Sequence, residues 1–76
     1  MKFDYDKLIG KIKEKFRNRK ELAKLIGITH QSLSMKLNNH FPFTTWEIEK
    51  IRNYLDIEPK DIHLYFFQPK VEKIQQ

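Results

Sequence analysis

The chain has 76 residues, no cysteine, and 39% hydrophobic residues that include one Trp, three Tyr and six Phe. That length is close to the lower limit for unaided folding. With no thiol for cross-linking or metal binding, a single apolar core must supply the stability. The net charge of +5 sits in the first half: residues 1–40 hold ten Lys/Arg against four acids, residues 41–76 five against six. This asymmetry points to a partner carrying negative charge.

Helix-start signals recur along the chain. Asp4 is placed to cap a first helix, with Phe3 and Leu8 as a hydrophobic staple and Leu8, Ile12 and Phe16 as its buried stripe, Ile9 beside them. Asn18 and Glu21 form a capping pair that opens a second helix through Leu22, Ala23, Leu25 and Ile26. Gly27 supplies the left-handed residue that ends it. Thr29 caps a third helix from His30 to about Asn38, with Leu33 and Leu37 on one face. Pro42 keeps Phe41 out of helical geometry, so "HFPF" is a loop. Thr44 and Glu47 cap a fourth helix, with Phe43 and Ile48 as staple and Ile51 and Leu55 continuing the stripe. Trp46, at its start, is expected to plug the core.

Pro59 opens a last helix, and Ile57 and Ile62 repeat the staple spacing. In "LYFF", either Leu64, Tyr65 and one Phe finish the core, or part of the cluster, with Leu64 or Phe67 at the edge, forms a weak dimer contact. "QPKVEKIQQ" reads as a loose tail. The expectation is an all-α, compact five-helix bundle over residues 1–67 with a C-terminal tail over 68–76. There is no strand alternation, no repeat and no low-complexity tract.

Residues 18–38 have the layout of two helices crossing at a tight turn. Ala23 is the small residue at the crossing, Gly27 the pivot four positions later, Ile28 the plug of the turn, and Leu33 the anchor of the second helix. "KELAKLIGITHQSL" resembles the helix-turn-helix of the phage repressor and Cro family, and the later helices with their "IEP" start are similar to that family too. Two departures stand out. Lys36 occupies a position where the family often has an aromatic or aliphatic residue, and Asn39 replaces the glycine that often ends the third helix.

At about 100° per residue from Leu33, Gln31, Met35 and Asn38 cluster between roughly 140° and 200°, opposite the core. The resemblance implies that His30, Gln31 and Met35 reach base edges, with Asn38 on the same face. Gln suits adenine, and an apolar side chain suits the thymine methyl. Thr29, Ser32 and Ser34, with Arg17, Arg19, Lys20 and Lys36, are then expected near phosphates, where contacts position rather than specify.

His40 and His63 read as loop and surface residues. No histidine has metal-ligand spacing, and there is no nucleophile elbow or phosphate loop. The expectation is therefore a non-enzymatic protein without cofactor, metal or small-molecule substrate. No run approaches the roughly 18 apolar residues of a membrane span, and no signal-peptide core opens the chain. Action in the cytoplasm of a bacterial host follows as an expectation.

The function the resemblance implies is a sequence-specific transcriptional regulator that sets helix three in the major groove of a double-stranded DNA operator, usually as a dimer. The rival is a modulator or antirepressor of the same fold that binds a partner phage repressor. Met35 at the centre of an exposed face suits that rival. An antitoxin or restriction-controller role is the third reading.

Overall fold

Five α-helices follow one another in the computed structural model, which describes residues 2–71. They are α1 (Asp6–Lys15), α2 (Arg19–Ile26), α3 (His30–Leu37), α4 (Thr45–Tyr54) and α5 (Ile62–Phe66), the last entered through a 3-10 turn, Pro59–Asp61. The fold is all-α. α2 packs against α3 and α4, and α1 against α2 and α5. Leu8, Leu22, Leu33, Ile51 and Leu55 are completely buried where these helices meet.

The caps form where the side chains allow them. Asn18 Oδ1 accepts from the Glu21 amide at 3.1 Å and Thr29 Oγ1 from Ser32 at 3.0 Å. Thr44 and Glu47 complete a reciprocal capping box. The first helix departs from expectation by one residue. It begins at Asp6 with Tyr5 at the cap position, while the Asp4 carboxylate accepts from the Asp6 amide at 2.9 Å. Tyr5 thereby turns into the core, only 6% exposed.

Three helices end in the same way. Ile28 donates to Ala23, His40 to Met35 and Ile57 to Arg52, each bond spanning a left-handed residue: Gly27 (φ 82), Asn39 (φ 66) and Asp56 (φ 56). This is the Schellman closure, which satisfies carbonyls at the helix terminus. The first two pivots were legible as Gly and Asn. Asp56 was not anticipated.

One expectation about the core fails. Trp46 does not plug the core; it is 70% exposed, with the Lys50 ammonium 5.6 Å from the ring centroid. On α4 the buried stripe runs through Glu47 and Ile51, and Trp46 lies one residue off it. The residues that lead from α5 into the tail are paired with the N-terminal segment. Asp4 N–H donates to the Gln68 carbonyl at 2.7 Å and Lys70 N–H to the Lys2 carbonyl at 3.1 Å, forming an antiparallel bridge between Phe3 and Pro69. Proline had suggested disengagement. Here it occupies the position of the ladder that needs no N–H, where its missing donor costs nothing. Residues 72–76 of the expected tail lie outside the described residues.

The other edge of this short pairing is completed by a side chain. Asn39 Oδ1 accepts from Phe3 N–H and Asn39 Nδ2 donates to the Phe3 carbonyl, both at 2.9 Å. Around it, Phe3, Tyr5, Phe43, Phe66 and Phe67 make edge-to-face contacts, such as Tyr5–Phe43 at 5.3 Å and Phe43–Phe66 at 5.5 Å. Asn39→Gly keeps the left-handed backbone but removes both bonds to Phe3. It is expected to destabilise the domain by about 1–2 kcal/mol, since two part-buried bonds outweigh the relief of backbone strain. Chemical denaturation checks the size, and faster exchange of the Lys70 amide checks the place. A neutral or stabilising result would show that the clamp contributes nothing.

Candidate interaction surface

The stretch expected to contact a partner divides in two on the folded chain. His30, Gln31 and Asn38 are exposed, while Met35 is half-buried rather than at the centre of an open face. Asn38 lies at the far end of α3, in a cleft shared with Asn39, Pro69 and Lys70. His30 and Ser34 face the other way, into a groove against α1. The angular count placed Gln31, Met35 and Asn38 on one face. α3 has only eight residues, however, and its two ends meet different neighbours.

The expected phosphate contacts also separate. Arg17 and Lys20 are exposed and Arg19 half-buried. Thr29 is exposed with its hydroxyl oxygen accepting the Ser32 amide, and Ser32 and Ser34 are half-buried. Lys36 departs most from expectation. Its side chain is 12% exposed, and its ammonium is paired with the Glu47 carboxylate, itself 10% exposed. Glu47 accepts from the Thr44 amide through its other oxygen at 2.8 Å. The departure at Lys36 now has a physical reason. The position points inward, and the lysine sits there because α4 presents a carboxylate. Burial works to raise the Glu47 carboxyl, but the bonds and charge from Lys36 and the Thr44 amide outweigh it and hold it below the ordinary glutamate range.

The groove beside His30 has a volume of about 430 Å³. Ile9 and Ile12 of α1, with Phe16 just after its end, give it an apolar wall, and Lys13, Arg17 and Arg19 supply cations. No carboxylate lines it, and none of the three cations enters an ion pair among the described residues. Sequence reasoning named Arg17, Arg19, His30 and Ser34 but missed Lys13, and it assigned Ile9 and Phe16 to the core. The available signal was Phe16 at the very end of a helix stripe, directly before "RNRK". A second, aromatic groove of about 190 Å³ lies between Phe3, Phe41, Phe43 and Phe67, with Phe41 52% and Phe67 49% exposed. Among the described residues, no helix is long and apolar enough to cross a membrane.

Two short helices crossing at a glycine turn, with three more closed around one core, define the class of this molecule: a five-helix, all-α domain. The chain belongs to the family described as "Protein of unknown function (DUF739)", whose profile matches residues 1–69. Among solved structures it is similar to the solution structure of the modulator of repression (MOR) of the temperate bacteriophage TP901-1 from Lactococcus lactis. The two share 38% identity with a TM-score of 0.75, covering 95% of this chain and 97% of the other. Among curated proteins none matches at a significant level.

Proposed function

We propose that this chain is a phage-encoded modulator of repression, which acts by binding a repressor protein rather than by reading an operator itself. The observation that carries this reading is the 38% identity to the TP901-1 modulator over nearly the whole of both chains. The charge on α3 supports it. Phosphate contacts dominate the affinity of DNA-binding proteins, yet the one cation on α3, Lys36, is held by Glu47. The protein is then a binding partner without catalytic role, and its place of action is the bacterial cytoplasm, where repressors work.

The test is calorimetric titration of the chain with the repressor encoded in the same genome, followed by a gel shift of that repressor on its operator with and without the chain. A stoichiometric complex and altered operator occupancy are expected. Site-specific operator binding by the chain alone, with no affinity for the repressor, would overturn the proposal. The exposed Arg17 and Lys20 favour the direct-reader alternative. Its signature is a steep fall of DNA affinity with salt together with a loss of site preference in Gln31→Ala.

A further inference from the structure

The groove between α1 and α3 combines two properties. Its wall is apolar, through Ile9, Ile12 and Phe16, and its cations are Lys13, Arg17 and Arg19 with no carboxylate among them. Lys13 and Arg17 are exposed, and Arg19, Ile9 and Phe16 are half-buried, so charge and apolar surface are both accessible, while Ile12, only 2% exposed, forms the floor. A nucleic-acid backbone would use the cations but gain nothing from the isoleucines and the phenylalanine. A polypeptide segment with apolar residues on one face and carboxylates flanking them would use both, because burial supplies affinity and opposite charges supply orientation and encounter rate.

Resting on the reading that the partner is a repressor protein, we infer that this groove is the docking surface for it, and that the segment it takes is an acidic amphipathic helix of the repressor. The carboxylates of that helix lie against Lys13, Arg17 and Arg19, and an apolar side chain enters beside Phe16. The segment lies along α1 with the first turn of α3 as its other border, and His30 marks that border. Other exposed apolar side chains are the competing sites: Trp46 on α4 with the single Lys50 ammonium over its ring, the aromatic groove at Phe41 and Phe67, and Leu25, Tyr54 and Val71.

The experiment uses the full chain and the intact repressor of the same genome. Lys13→Glu combined with Arg17→Glu reverses two exposed charges. Lys50→Glu combined with Lys60→Glu makes the same charge change at residues that do not line the groove. Circular dichroism confirms that both variants fold. The first pair is expected to weaken repressor binding roughly tenfold or more and to flatten its salt dependence, and the second to leave both near wild type. Titration of the isotopically labelled chain with unlabelled repressor should shift the amides of Lys13, Phe16, Arg17 and His30.

If wild type binds but both variants bind equally well, or the shifts fall on Trp46 or Phe41 and spare the groove, the docking assignment is overturned while the modulator reading stands. If the groove variant loses affinity for a random-sequence DNA duplex and keeps it for the repressor, the groove is a phosphate site and the assignment is overturned. Failure of wild type to bind the repressor at all removes the modulator reading, and the docking assignment with it.

Discussion

Glu47→Ala is expected to destabilise the domain by about 3 kcal/mol, through two losses at one side chain. One half of the capping box of α4 is lost, a hydrogen bond worth about 1 kcal/mol, because residue 47 no longer accepts from the Thr44 amide, while its own amide still donates to Thr44 Oγ1. The Lys36 ammonium is also left without its partner in a site where its side chain is only 12% exposed. Removing one member of a sheltered ion pair costs far more than the pair itself contributes, since the remaining charge stays poorly solvated. For a domain of this size the melting midpoint should fall by roughly 12–24 °C. Lys36→Met together with Glu47→Gln should recover much of that, because neither charge then remains. A double variant no more stable than Glu47→Ala would show that the loss is not one of charge.

The same pair sets a pH dependence. The folded Glu47 carboxyl is held below its ordinary value, so its contribution is fully present above the unfolded glutamate pKa of about 4.3. It is lost as pH falls through the lower, folded value. The difference in melting midpoint between wild type and Glu47→Gln should therefore be largest near neutrality and shrink in acid. A difference that stays constant from neutral pH to about pH 3 would rule out the ionised pair as its source.

Gly27→Val is the second large effect, and it tests a different kind of stabilisation. Gly27 lies at φ 82, and a Cβ built there meets no atom within 4 Å. Its substitutions thus report backbone strain without any packing clash. Asparagine, which tolerates the left-handed region, should cost little, alanine about 1 kcal/mol, and valine about 2–3 kcal/mol because its branched Cβ opposes that region most. The order Gly, Asn, Ala, Val in denaturation midpoint is the expected result. A valine variant as stable as alanine would mean that the turn shifts to another closure. Because α2 and α3 diverge from this pivot, the position of His30 over the α1 groove depends on it.

Much of the fold was legible because its signals are local. Asn18, Thr29 and Thr44 are caps, since a short side-chain oxygen reaches an amide three residues on whatever the rest of the chain does. Leu8, Ile12, Leu22, Leu33 and Ile51 are core, because helical spacing puts them on one side of their own helix. The candidate surface was only half legible. Arg17, Arg19 and His30 were named from their sequence neighbourhood. Their assembly with Lys13 and Phe16 required α1 and α3 to lie side by side, which no periodicity states.

The amino-acid sequence by itself therefore determined the five helices, their ends at Gly27 and Asn39, and the single apolar core, all consequences of interactions within a few residues. Tertiary structure alone decided the rest. It turned Lys36 from a surface cation into the partner of Glu47, left Trp46 in solvent, and seated Pro69 in a bridge to Phe3 with Asn39 completing the edge. Each of these outcomes depends on which helix faces which. A charge or an aromatic ring is sheltered by neighbours 11 to 66 residues away in the chain, and only the packed arrangement specifies them.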